Sequence, residues 1–171
     1  MELDTVSARV LGGYGISPER CKSDNKLALL EEKGRNMSKY LDKAKEIRAI
    51  TEPHYNCAQS VIVPFAEEAG IDEETAMRMG ANFGSGMRIA SVCGSFTGGL
   101  MTLGLFGVDD PKVVVDFANR IKEKHEGYLD CKDLLRINHE KGLPKKPHCD
   151  EMVYDSVAIV EEILRERGKI S

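Results

Sequence analysis

Twenty consecutive residues without a charged side chain, from 89 to 108, constrain the fold of this 171-residue chain most. A stretch of that length can cross a bilayer as a helix. It also carries small residues at every fourth position, namely Ala90, Gly94, Gly98 and Thr102. Such a stripe lets two helix backbones approach closely, either in a membrane or in a protein core. A lone span would leave the amphipathic segments elsewhere without a partner, so we predict a buried central helix that packs within one chain or across a homodimer.

The rest of the chain has helical periodicity and few strand signals, which predicts an all-α, compact single-domain helical bundle. Gly34 and Pro64 mark interruptions within predicted helices, whereas Pro111 lies in the first turn of a later helix, where proline is tolerated. The loop FGSGMR, at 83–88, predicts a turn with positive φ. We divide the chain into a partly helical N-terminal extension, 1–45, and a main domain, 46–171. The predicted helices cover 26–50, 56–69, 73–82, 91–106, 111–124, 130–137 and 148–167.

Composition excludes several classes of function. The formal net charge is −4 and the basic residues are interleaved with acidic ones, so no nucleic-acid surface is expected. The segment MELDTVSARV lacks the basic and apolar regions of a signal peptide, which favours a cytoplasmic location. Structural disulfides are rare there, so the five cysteines are predicted to be catalytic, metal-binding or simply buried.

Four of the five cysteines fall at predicted helix starts: Cys57, Cys93, Cys131 and Cys149. A helix N-terminus carries a partial positive charge and unpaired N–H groups, which stabilise a thiolate and lower its pKa. A single cysteine in such a place is more often a small packing residue. Four together predict a shared centre, whereas Cys21 lies in an irregular segment and does not fit the pattern.

The segments around these cysteines, NCAQSV, CGSFTGGLMTLGL, DCKDLL and HCDEMV, resemble the redox-active protein family named for its C_GCAxxG_C_C cysteine pattern. The resemblance covers about residues 52–168. Two departures are that Cys93 precedes Gly94, where the pattern writes glycine first, and that Ser95 replaces alanine. The resemblance implies redox activity through the cysteines, with a poorly defined reaction. The family is also similar to the core of split-Soret cytochromes c, which carry haem, but this chain has no Cys-x-x-Cys-His motif, so no covalent haem is expected.

Two kinds of centre remain open at this stage. In the first, the four cysteines are catalytic and exchange electrons or disulfides with an unidentified electron-transfer or thiol partner. In the second, they form a metal-binding module without turnover, holding zinc or an iron–sulfur cluster, with His54 and His148 as added ligands. Gly94 and Gly98 are predicted cofactor-binding positions. A third reading is a helical interaction protein whose cysteines only pack. No Cys-x-x-Cys occurs, so any pairing requires tertiary contact.

Overall fold

A computed structural model of the protein describes residues 38–171. Predictions for the chain up to residue 37, including those for Cys21 and for most of the N-terminal extension, lie outside the described residues. The compact unit that the structure describes runs from Ser38 to Ser171. The predicted domain boundary between residues 45 and 46 therefore falls within the first described helix.

The described part of the chain is all α-helical, as predicted, and contains seven α-helices and no β-sheet. A 3₁₀ turn at Val63–Phe65 follows the second helix, because Pro64 cannot continue it. An irregular turn at Gly86–Ala90 precedes the fourth. The helices are α1 (Lys39–Ala49), α2 (Cys57–Ile62), α3 (Glu73–Gly80), α4 (Gly94–Leu105), α5 (Pro111–Lys124), α6 (Cys131–Glu140) and α7 (Lys145–Glu166).

Most predicted helix starts are confirmed by their caps. The Asn56 side chain accepts hydrogen bonds from the N–H groups of Ala58 and Gln59, in a capping box that opens α2. Asp72 caps α3 and Asp110 caps α5 in the same way. Two predicted starts were wrong by three residues, because α4 begins at Gly94 rather than at position 91 and α7 begins at Lys145 rather than at 148.

Helix α4 is the buried central helix that the charge-free segment predicted. Its packing against α2 is more extensive than that between any other two helices of the described region. A Cβ atom at Gly98 would lie 2.7 Å from the Ala58 carbonyl oxygen and 2.9 Å from the Ala58 Cα. The small-residue stripe therefore serves a contact within one chain. Across residues 38–171, no helix is both long enough and apolar enough to cross a membrane.

Helix α7 supplies the second long surface of the core. Its predicted apolar face, formed by Val153, Val157, Val160 and Leu164, is fully buried. It contacts α1, α4 and α5, so it ties the first described helix to the central one. Tyr40 of α1 stacks on Phe65 with ring centroids 4.2 Å apart, which places α1 in the same core.

The α2–α4 contact can be tested with two glycines of the same helix. We expect Gly98→Ala to lower the free energy of unfolding by about 1–3 kcal/mol, because its methyl group would meet the α2 backbone. Gly104→Ala has no atom within 4 Å of the added Cβ and should raise that free energy by about 0.5–1 kcal/mol. Urea unfolding of both variants measures the difference, and equal stabilities would contradict the close contact.

Candidate active site: a four-cysteine cavity

A single antiparallel bridge between Val92 and Asp130 places two of the cysteines side by side. The Cys93 N–H donates to the Leu129 carbonyl at 2.8 Å, and the Cys131 N–H donates to the Ser91 carbonyl at 2.7 Å. Each cysteine then begins a helix, since Cys93 is the N-cap of α4 and Cys131 is the first residue of α6. The bridge therefore joins two helix starts that are 38 residues apart in the sequence.

The close approach of α2 and α4 brings in Cys57, the first residue of α2. A Cβ atom at Gly94 would lie 3.2 Å from the Cys57 Cβ and 2.6 Å from the Phe83 carbonyl oxygen. Glycine at this position is therefore required for Cys57 to lie beside the start of α4. Gly94 and Gly98 both face α2 in the structure, and their predicted role in binding a cofactor stays a prediction.

The turn before α4 also depends on a glycine. Gly86 has a φ of 63°, and a Cβ there would lie 2.9 Å from the Cys131 Cβ. The residues on both sides of it, Ser85 and Met87, share the left-handed backbone conformation. The loop with positive φ that FGSGMR predicted is confirmed, and it closes one side of the cysteine site.

Cys149 was predicted at a helix start, and this was wrong. It is the fifth residue of α7, because the helix begins at Lys145. An ion pair on the neighbouring residue positions it: the Arg48 guanidinium lies 2.7 Å from the Asp150 carboxylate and also donates to the Tyr55 carbonyl at 3.2 Å. The Arg48 and Asp150 side chains are only 8% and 16% exposed. Arg48 thus links the helix of Cys149 to the segment just before Cys57.

All four cysteines line one cavity of about 20 Å³, which we call the cysteine cavity. A space of this size holds about one water molecule. Met152 and Leu134 complete its apolar wall. The four thiols are free, with Cys93 buried and the other three partly buried.

Of the four cysteines that the structure describes, only Cys149 has the predicted lowered pKa. The interaction of the Cys57 and Cys149 thiols lowers the pKa of Cys149 and, together with burial, raises that of Cys57. Burial raises the pKa of Cys93. Burial and the nearby sulfurs of Cys93 and Cys57 raise the pKa of Cys131 to about 11. At these three positions desolvation and neighbouring sulfurs outweigh the helix N-terminus.

The two candidate histidines lie in different places. His54 is exposed and lines a separate cavity with Arg48 and Lys146, so it does not reach the cysteine cavity. His148 does line it, and burial together with His125 lowers its pKa. Among residues 38–171, no three or more Cys, His, Asp or Glu side chains are arranged to hold a metal ion. The predicted ligand set of the four cysteines and two histidines stays a prediction.

The family model described as "Putative redox-active protein (C_GCAxxG_C_C)" matches residues 55–163. The chain belongs to this family. The match spans all four cysteines of the cavity and confirms the resemblance that their flanking segments indicated. No curated protein and no solved structure matches the chain.

Sequence reasoning on this C_GCAxxG_C_C protein missed the residues that hold the cysteines in place. Arg48 and Asp150 are 102 positions apart, so no local pattern connects them. Ser95 is also part of the site, because its Oγ lies 3.3 Å from the Cys93 Sγ. The only local signal was that Ser95 replaces the alanine of the family pattern.

We expect Cys149 to be the thiol that reacts first near neutral pH, since its pKa alone is lowered. Cys57→Ala removes the hydrogen-bond donor and should shift the pH dependence of Cys149 alkylation upward. Cys131→Ala is the matched control and should cause no upward shift. Iodoacetamide labelling over a pH series, followed by peptide mass analysis, measures each site. Equal labelling rates for Cys149 and Cys131 at neutral pH would contradict the assignment.

Arg48→Met should lower the free energy of unfolding by about 2 kcal/mol, because the partly buried Asp150 carboxylate loses its guanidinium and keeps only the exposed Lys146 as a charged partner. Arg120→Met is the control, because Arg120 of α5 pairs with Glu166 of α7 at a more exposed position. This variant should lower the free energy of unfolding by about 1 kcal/mol. Chemical unfolding compares the two. A loss at Arg48 no larger than at Arg120 would show that the buried pair does not hold α1 to α7.

Proposed function

We propose that this protein carries out thiol–disulfide chemistry in the cysteine cavity, with Cys149 as the attacking thiolate and Cys57 as the resolving thiol. One observation carries the proposal. Cys57 and Cys149 both line the cysteine cavity, and the interaction of their thiols lowers the pKa of Cys149 while raising that of Cys57. An attacking thiolate beside a protonated second thiol is the arrangement that dithiol exchange requires.

The reaction proceeds in two balanced steps. The Cys149 thiolate attacks one sulfur of a partner disulfide, forms a mixed disulfide and releases the other partner sulfur as a thiolate. Cys57 then loses its proton to that leaving thiolate and attacks the Cys149 sulfur. The products are a Cys57–Cys149 disulfide, one partner thiol and one partner thiolate, so two electrons pass from the protein to the partner. In the cytoplasm, where reductants keep thiols reduced, a reductant restores the dithiol.

Cys93 and Cys131 form the second pair of the site. The bridge between Val92 and Asp130 keeps them together, and Cys93 lies close enough to Cys57 for the Cys57 sulfur to raise the pKa of Cys93. In the proposed scheme Cys93 attacks the Cys57 sulfur and releases the Cys149 thiolate. Cys131 then attacks the Cys93 sulfur and releases the Cys57 thiolate, which leaves a Cys93–Cys131 disulfide. The more deeply buried Cys93 then stores the oxidised state away from solvent.

The test is disulfide mapping after mild oxidation. Protein purified without oxygen is first analysed for metals and is then treated with one equivalent of diamide. We expect two thiols to disappear, with a Cys57–Cys149 disulfide forming first and a Cys93–Cys131 disulfide then replacing it. A Cys93→Ser, Cys131→Ser double variant should keep the Cys57–Cys149 disulfide, whereas Cys149→Ser should not form it.

Two results would contradict the proposal. One is the persistence of four free thiols after oxidation. The other is stoichiometric iron or zinc that protects all four cysteines, which would favour the metal or iron–sulfur module without turnover.

A further inference from the structure

A second cavity, of about 300 Å³, lies directly beside the cysteine cavity. It is enclosed by the end of α5, by α6 and by the start of α7, and we call it the histidine cavity because His125 and His148 line it. Leu134 and His148 belong to the walls of both cavities. The two cavities therefore share a wall that these two side chains form.

The polar wall of the histidine cavity contains a hydrogen-bonding group without a partner. The His148 Nε2 atom is buried and has no hydrogen-bond partner among residues 38–171. Its neighbour His125 is buried but satisfied, since its Nε2 lies 3.0 Å from the Asp155 Oδ2. The two rings meet edge to face, with centroids 6.3 Å apart. Buried polar atoms in proteins are almost always paired, so the His148 Nε2 indicates a place for a ligand atom.

The charges around the histidine cavity favour an uncharged ligand. Lys124 is paired with Asp155 at 2.8 Å, and Lys141 is paired with Glu126. Glu151 at the rim is exposed to solvent. The remaining lining is mostly apolar and includes Ile137, Leu143 and Pro147. A charged ligand would compete with these existing ion pairs, whereas a compact neutral molecule would not.

The cavity volume limits the ligand's size. A cavity of about 300 Å³ is at the lower end of the range for small-molecule sites.

We propose that the histidine cavity binds a small uncharged disulfide and presents it to Cys149 past His148. This inference rests on the proposed function. Rotation of the His148 ring exposes its Nε2 to the ligand's polar end and opens the shared wall, so that the ligand's sulfurs reach Cys149. Cys149 attacks one ligand sulfur, and the other leaves as a thiolate that takes up the Cys57 proton. Cys57 then attacks the Cys149 sulfur, which releases the second half of the ligand as a thiolate and closes the Cys57–Cys149 disulfide.

The kinetic probe is bis(2-hydroxyethyl) disulfide, a neutral molecule with eight non-hydrogen atoms. We expect its single-turnover reaction with the fully reduced protein to saturate. Leu143, which is 55% exposed, lies in the cavity wall, and Leu143→Trp fills part of the cavity with a larger side chain. At disulfide concentrations below saturation, this variant should react at least tenfold more slowly. Val115→Trp is the matched control at 59% exposure on α5, outside the cavity lining, and should stay within twofold.

The charge of the ligand is tested with 3,3′-dithiodipropionic acid, which carries two carboxylates. For each disulfide, the rate with the protein is divided by the rate with free N-acetylcysteine. This ratio should be at least tenfold lower for the dicarboxylate than for the neutral disulfide. An equal ratio would contradict the uncharged class. A Leu143→Trp rate equal to that of the unaltered protein, or a rate that never saturates, would overturn the cavity as the binding site.

Binding can be measured without any redox chemistry. Hexane-1,6-diol has the same length and end groups, with methylenes in place of the sulfurs. It should shift the ring NMR signals of His125 and His148 saturably in the unaltered protein, and not in Leu143→Trp. If the diol binds but the disulfide is not reduced, the cavity stands and the proposed function fails. If the disulfide is reduced without saturation and the diol does not bind, the cavity proposal fails alone.

Discussion

The close approach of α2 to α4 is the contact on which the rest of the site depends. It is possible only because Gly94 and Gly98 have no side chains where Cys57 and Ala58 lie. The contact places the first residue of α2 beside the N-cap of α4, so Cys57 and Cys93 become neighbours. Any side chain at these glycines would separate the helices and, with them, two of the four sulfurs. The core packing and the candidate chemistry are therefore consequences of the same contact.

Burial, rather than the helix dipole, sets most of the thiol properties. A partial charge at a helix N-terminus is a surface effect that weakens within one turn, whereas desolvation acts on the whole thiolate. Cys93 is the N-cap of a helix and yet has a raised pKa, because it is 6% exposed. Cys149 does not lie at a helix end, but its interaction with the Cys57 thiol lowers its pKa. In this site a neighbouring sulfur, and not the position in the helix, selects the thiolate.

The sequence was sufficient for those features that depend on local patterns. The charge-free segment predicted the buried α4, and Asn56 predicted the start of α2. The helical spacing of Val153, Val157 and Val160 predicted the inner face of α7. It was insufficient where distant residues meet. The Val92–Asp130 bridge and the Arg48–Asp150 ion pair join segments far apart in the chain, and no local periodicity encodes them. The start of α7 was misplaced because Pro144 and Pro147 suggested a continuing loop, although Pro147 lies in the first turn, where proline is tolerated.

The central claim is that four sulfurs from separate segments meet in one place, with Cys57 and Cys149 in direct contact. A crystal structure of the anaerobically reduced protein, with sulfur anomalous scattering used to locate each Sγ, measures this most directly. The account predicts four sulfur peaks around one cavity and the Cys57 and Cys149 peaks within hydrogen-bonding distance of each other. Sulfur peaks in separate apolar pockets, with Cys149 remote from Cys57, would contradict it.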